Sequence, residues 1–303
     1  MPEARVERDA RRDWAIIVHG GAKDIAPDQQ QAHRDGCLAA LAAGQAILET
    51  GGTALDAVEG AVRALEDNPI FNAGYGSVRN AKGQVECDAA IMDGASLAVG
   101  GVAAVSTLRH PISVATAMLG ETPVLLVGQG AEDFAREHGG EICDPAELIA
   151  DRPSTVGYDP GCDTVGCVAL DRQGNIAAGT STGGLTGCHQ GRVGDSPLPG
   201  CGLYAENDVG GVSLSGDGES LIRTTLAARV MRGLEASGPE AAIAAAFARL
   251  AKVGGEAGII VIDGQGQVAW NHNSAQFAVA HARAGQPAKA FVNRGEDIQE
   301  DLA

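Results

Sequence analysis

The chain has 303 residues, 45% of them hydrophobic and 20% charged, the balance of a globular protein that buries a sizeable core. A formal net charge of −17 leaves nothing to neutralise phosphates along a nucleic acid, and it disfavours anionic membrane surfaces for the same reason. Aromatic residues are only 3% while glycines number 43, so the expected core is Val, Ile, Leu and Ala with many tight turns.

The first residues, MPEARVERDARRDW, are charged and lack the apolar stretch of a signal peptide. No apolar run reaches the roughly 18 residues of a membrane span. Seven cysteines, an odd number without a C-x-x-C pair, read as scattered reduced thiols, so a cytoplasmic protein is expected.

Ala15–Val18 reads as a buried strand ending in a His19-Gly20-Gly21 turn. Apolar residues at helical spacing (Cys37, Leu38, Leu41, Ala42, Ile47, Leu48) predict a helix over 29–49. Thr53, with Asp56 as capping-box partner, opens a second helix through Ala57, Val58, Ala61, Val62 and Leu65. Strands are expected over 85–92 and 96–106, joined at Asp93-Gly94. Pro111 starts a helix at its first turn. A strand over 123–127 and a helix over 130–138 follow, and then a linker rich in Gly, Pro and Asp over 139–163.

After the linker, 164–170 and 175–180 form an expected hairpin across Asp171–Gly174, and 183–202 is a long loop. A strand over 209–215 leads into a helix ending near Arg232, a second helix spans 239–250, and 258–262 with 267–270 make the last hairpin. Helices fall in pairs around antiparallel-looking strands without strict βαβ alternation. The expected fold is therefore a layered α/β (α+β) arrangement, helices covering a largely antiparallel double sheet.

Chemistry concentrates in the second half. A linker that ends at Thr164, where a strand begins, suggests a chain broken between Asp163 and Thr164. The freed α-amine would titrate at about 7.7–8.0 and take the proton of the hydroxyl on the same residue. For a lone Thr the ordinary reading is a strand residue without a role, and a second Thr155-Val156-Gly157 shows how weak the tripeptide is. Only Thr164 leads from linker into a strand.

Arg192 and Asp195, three apart in a Gly-flanked loop, suit a clamp on a free amino acid, guanidinium to carboxylate and carboxylate to ammonium. The plain alternative is a solvated ion pair. Gly216, between strand and helix, can offer its N–H to an oxyanion and Ser215 a hydroxyl, against the plain alternative of a helix cap.

Taken together, His19-Gly20-Gly21, Phe71-Asn72-Ala73-Gly74, Asp88 to Asp93-Gly94, Thr164-Val165-Gly166, Thr180 to Gly184 and Gly191 to Pro197 resemble, in order, the plant-type asparaginase and isoaspartyl peptidase family of threonine N-terminal nucleophile hydrolases. The resemblance runs from about Ala15 to Trp270. It implies a four-layer αββα sandwich of the N-terminal nucleophile hydrolase type. It also implies self-cleavage into an α subunit (1–163) and a β subunit (164–303) that together make one folded domain, and a homodimer of such αβ units.

By resemblance, Thr164 is nucleophile and base, Thr182 supports it, and Asn72 belongs to a loop near cleavage site and substrate. Arg192, Asp195, Gly216 and Gly218 bind substrate, and Gly216 with Ser215 forms the oxyanion hole. No catalytic cofactor is implied. A structural sodium ion is, held by main-chain oxygens of Leu65, Glu66, Asn68, Phe71, Ala73 and Tyr75. The expected reaction is hydrolysis of L-asparagine and β-aspartyl dipeptides to L-aspartate. Ser215 stands where the family usually has Thr, and Asp163 is shared with the glycosylasparaginase branch, which makes an amidase on N-linked asparagine the alternative.

Two rival readings come from the residues themselves. Gly179-Thr180-Ser181-Thr182-Gly183 satisfies G-x-S-x-G, with His272 or His281 to complete a triad, but no helix follows directly. Gly128-Gln129-Gly130 imitates a dinucleotide turn, yet Asp133 at the third-glycine position opposes a pyrophosphate. No histidine spacing indicates a catalytic metal.

Overall fold

Nine consecutive buried residues, Ala15–Lys23, form β1, and their side chains alternate between two cores. Ile16 and Val18 pack toward helices, whereas Ala15 and Ile17 pack toward a second sheet. That alternation is the period of a strand covered on both faces. The computed structural model of the chain describes residues 13–150 and 164–296. Asp163, Cys162 and positions 151–163 of the expected linker lie outside the described residues.

After β1 come the helices α1 (Gln30–Glu49) and α2 (Ala54–Glu66), then β2 (Cys87–Asp93), β3 (Val99–Val105), α3 (Pro111–Ala117), β4 (Leu126–Val127) and α4 (Gln129–Glu137). The second half holds β5 (Val165–Leu170), β6 (Ile176–Thr182), β7 (Leu203–Glu206), β8 (Gly210–Gly216), α5 (Gly218–Thr224), α6 (Leu226–Ser237), α7 (Pro239–Leu250), β9 (Ala257–Asp263), β10 (Val268–His272), β11 (Gln276–Arg283) and β12 (Lys289–Phe291). The strands form an eight-stranded sheet, β12-β11-β1-β5-β6-β2-β3-β4, and a four-stranded sheet, β10-β9-β8-β7. All neighbours are antiparallel except β3 with β4.

Helices α1–α4 cover the outer face of the large sheet, and α6 and α7 cover the outer face of the small one. Val168, Ile176 and Ala178 meet Leu203, Ile260 and Ile262 between the sheets. The chain is a four-layer αββα sandwich, as the sequence implied. The small aliphatic residues of the core allow two sheets and their helices to pack face to face without aromatic bulk.

Several local expectations change. His19-Gly20-Gly21 is not a turn: β1 runs on to Lys23 and absorbs the glycines in a bulge between His19 and Ala22. Thr53 caps α2 by accepting the Asp56 N–H at 3.1 Å, but the Asp56 carboxylate takes the Thr53 hydroxyl at 2.7 Å instead of a backbone N–H. The strand expected over 123–127 shrinks to Leu126–Val127. The helix expected after β8 divides at Thr225, whose backbone is left-handed (φ 48°). The described part of the linker is tied down, with Ile142 bridged to Leu108 and a capped 3-10 turn at Pro145–Leu148. Strands β7, β11 and β12 had no counterpart in the sequence reading.

Candidate active site

Thr164 is the last residue before β5, an interior strand between β1 and β6, and it is buried (4% exposed). Its nitrogen lies 3.3 Å from Ser215 Oγ and its hydroxyl 3.0 Å from Ser196 Oγ. Ser215 comes from β8 in the other sheet and also accepts the Ala22 N–H at 3.0 Å, just beyond the bulge of β1. Both atoms of Thr164 that a nucleophile with its own base requires are thus held by hydroxyls from separate parts of the fold.

Pairing brings the remaining residues to the same place. Val165 sits opposite Ser181 on β6, which ends at Thr182. A cleft of about 220 Å³ is lined by Thr164, Thr182, Gly184, Leu185, Arg192, Gly194, Asp195, Ser196 and Gly216. The Thr182 hydroxyl accepts the Gly184 N–H at 3.2 Å, which fixes the chain as it leaves β6. Of the residues singled out in the sequence, Thr164, Thr182, Arg192, Asp195 and Gly216 line this cleft, with Ser215 beneath it.

Arg192 and Asp195 are not paired as an isolated surface couple. Arg192 forks onto Glu219, Nε to Oε1 at 3.0 Å and Nη2 to Oε2 at 2.8 Å. That bond holds the Glu219 carboxyl below the usual range. Asp195 is 3% exposed, and its Oδ2 has no hydrogen-bond partner among the described residues. Burial pushes its carboxyl up to about 7, despite the nearby Arg192. A buried carboxylate oxygen without a donor is costly, and a ligand ammonium would satisfy it. Gly218 permits this crowding: a Cβ there would stand 2.7 Å from Arg192 Nη2 and 3.0 Å from Asp195 Oδ1.

The loop carrying these residues is anchored by Asp88, which accepts the Gly194 N–H at 3.3 Å and the Ala104 N–H at 2.8 Å. Burial raises the Asp88 carboxyl to about 6. Asn72 stands behind the cleft. Its Nδ2 donates to the Gly184 carbonyl at 2.7 Å and its Oδ1 accepts the Val78 N–H at 2.9 Å, which braces the Thr182–Gly184 segment.

Ser196 and His19 beside Thr164, and Glu66 bonded to Ser181 of β6, are buried groups to which the sequence assigns no side-chain role. Ser196 was seen only as part of a motif, although its hydroxyl touches that of Thr164. His19 was expected in a turn. Its Nε2 instead lies 2.8 Å from Ser213 Oγ, and a Cβ on Gly166 would fall 2.6 Å from that nitrogen and 2.1 Å from that oxygen. Burial lowers the His19 pKa to about 3, so the ring is neutral. Glu66 was considered only for its main-chain oxygen. Its carboxyl accepts the Ser181 hydroxyl at 2.6 Å and the Ile112 N–H at 3.1 Å, and burial pushes it up to about 8.

That last contact also removes the serine-nucleophile reading. Ser181 is fully buried with its hydroxyl committed to Glu66, His272 bonds to Ser274, and the His281 ring lies against Phe291. Gly128, the first glycine of the dinucleotide-like turn, simply precedes α4.

The sodium ion implied by resemblance would be held between α2 and Tyr75. The Leu65, Glu66 and Asn68 carbonyls accept N–H groups from Asn68, Tyr75 and Phe71 at 3.2, 2.8 and 3.1 Å. Each of these three carbonyls keeps a second lone pair, and neutral oxygen donors suit a hard cation, so these three are compatible with such an ion.

The family described as Asparaginase matches residues 12–155 and 150–292. A Bos taurus isoaspartyl peptidase/L-asparaginase is 42% identical over 284 residues, covering 88% of this chain and 92% of the relative. The Homo sapiens isoaspartyl peptidase/L-asparaginase is 40% identical, with 88% and 92% covered. An isoaspartyl peptidase of Salmonella typhimurium is 39% identical over 307 residues, with 92% and 98% covered.

Proposed function

This chain belongs to the asparaginase family, and we propose that it is a self-cleaving threonine hydrolase of L-asparagine and β-aspartyl dipeptides, releasing L-aspartate. The observation that carries this reading is the cleft itself. Thr164 nitrogen and hydroxyl are each engaged inside it, beside a guanidinium and a buried carboxylate whose Oδ2 has no donor among the described residues.

In the proposed course, the bond between Asp163 and Thr164 breaks and Thr164 gains an α-amine. The amine takes the hydroxyl proton while Oγ bonds to the side-chain carbonyl carbon of the substrate, whose oxygen becomes an anion near the Gly216 N–H and Ser215. Collapse expels ammonia or the amine of the next residue, which carries away the proton held by Thr164. Water then adds to the ester carbon, its proton passing through the Thr164 amine to Oγ as the ester bond breaks and aspartate leaves. Ser215, 3.3 Å from the nitrogen, orients the amine as well as lying near the oxyanion. Arg192 takes the substrate α-carboxylate and Asp195 the α-ammonium, which requires the aspartyl unit to have both groups free.

The sodium ion belongs to the proposal as a brace for the 65–75 loop and takes no part in any step. Dimerisation of two αβ units is part of it too, supported by exposed Val124 and Val127 at the open edge of the large sheet. Action in the cytoplasm is supported by the free state of Cys37, Cys87, Cys143, Cys167, Cys188 and Cys201 among the described residues. No described helix is long and apolar enough to cross a membrane.

The test is product analysis with L-asparagine, a β-aspartyl dipeptide and an N-glycosylated asparagine. Aspartate from the first two supports the reading. Turnover of the glycosylated compound alone transfers the chain to the alternative amidase activity, and no turnover of any contradicts both.

A further inference from the structure

Ser196 is the one residue whose hydroxyl contacts Thr164 Oγ among the described residues, at 3.0 Å, and no other partner for it is found there. It is 1% exposed, so the bond is shielded from bulk solvent. Its backbone is fixed on both sides. Thr180 donates its hydroxyl to the Ser196 carbonyl at 2.6 Å, and the Leu198 N–H closes a turn onto Asp195 at 2.9 Å. Gly202 packs so closely that a Cβ there would lie 2.9 Å from Ser196 Cα. A residue whose backbone is held this firmly, with its hydroxyl 3.0 Å from Thr164 Oγ, is placed to act on that oxygen.

We propose that Ser196 is a further catalytic residue, donating its hydroxyl to Thr164 Oγ and stabilising the charge on that oxygen as it attacks and as it is expelled. The direction of the bond follows from the chemistry. When the Thr164 amine takes the Oγ proton, Oγ has no hydrogen left to give, and in this bond Ser196 is the donor. In deacylation the bond between Oγ and the acyl carbon breaks, the electron pair stays on Oγ, and the same donor steadies it until the ammonium returns a proton. Ser196 itself neither gains nor loses a proton. Because the contact does not depend on a free amine, it also steadies Oγ during self-cleavage.

This inference rests on the proposed function and is tested with Ser196→Ala, Ser196→Thr and Ser196→Cys beside the unaltered protein. Activity is expressed per Thr164 N-terminus, counted by intact mass, and folding is checked by thermal unfolding. The expected result is a kcat lowered about tenfold to a hundredfold in Ser196→Ala with KM nearly unchanged, slower self-cleavage, and most of kcat restored in Ser196→Thr. Should Ser196→Ala fail to fold, folded Ser196→Cys, a weaker donor of similar size, must show the same fall in kcat. Unchanged kcat in Ser196→Ala, a loss confined to KM, or full activity in Ser196→Cys overturns the role. If the unaltered protein hydrolyses neither substrate, the parent reading fails instead; if it does and Ser196→Ala matches it, only the role of Ser196 falls.

Discussion

The hydroxyl oxygen of Ser215 lies 3.3 Å from the nitrogen of Thr164 while accepting the amide of Ala22 at 3.0 Å, so the two sheets meet at the atom that the proposed cleavage would turn into an α-amine. Removing that oxygen leaves the Ala22 N–H without its acceptor and the amine without its orienting partner. Ser215→Ala is expected to cut kcat about tenfold or more. Ser215→Thr keeps the oxygen and adds a methyl that restricts its rotamer, and is expected to retain or raise activity. Steady-state kinetics on cleaved protein checks both, and an unaffected Ser215→Ala counts against the arrangement.

The clamp on the substrate makes a second prediction, with a pH dependence. Arg192→Ala is expected to raise KM at least tenfold while self-cleavage proceeds, because Arg192 bonds to Glu219 and not to Thr164. Asp195, raised by burial to about 7, would in the proposed role bind an ammonium only after losing its proton. Inhibition by L-aspartate should therefore tighten about tenfold for each unit by which pH rises toward that value, and level off above it. Succinate, which lacks the ammonium, should show no such tightening. Competitive inhibition measured between pH 5.5 and about 8.5 separates the two; parallel curves would argue against Asp195 as the ammonium partner.

Glu66 predicts the pH dependence of stability. Its carboxyl is raised from the ordinary glutamate range to about 8 because it is buried and charging it there is unfavourable. A group raised on folding keeps its full relative stability below the unfolded pKa, and that stability is lost as pH rises through the folded value. The folded protein should lose on the order of a few kcal/mol between about pH 5 and 9 from this residue. Glu66→Gln keeps an oxygen for Ser181 and Ile112 but has no charge to acquire, so its unfolding midpoint should fall less over the same range. Equal slopes for both proteins would contradict this.

Much of this was legible in the sequence because the site is made of local motifs. Thr164 stood at the junction of a Gly-, Pro- and Asp-rich stretch with an apolar strand, and Arg192, Asp195 and Gly216 lay within glycine-flanked turns. The amphipathic helices α1 and α2 declared themselves by spacing. What stayed hidden depends on distant pairing. His19 looked like part of a turn because adjacent glycines usually mark one, but the strand continues through a bulge to present Ala22 to Ser215. Ser196 is an ordinary serine until the chain folds 32 residues back onto Thr164. Glu66 at the end of a helix carries no local signal of burial, and only the packing of α3 and β6 buries it. In β11, the run Phe277–Ala280 is buried on both faces, so it lacks the alternation that marks a half-exposed strand.

The central claim is that Thr164 becomes an N-terminus and attacks through its own hydroxyl. Intact-mass analysis of the purified protein beside Thr164→Ala, after prolonged incubation, tests it most directly. The account predicts two fragments in the unaltered protein, one ending at Asp163 and one beginning at Thr164, and a single uncut chain in the variant. An uncut mass in both, with hydrolysis of asparagine retained, would contradict it, because an amide nitrogen at Thr164 cannot serve as the base.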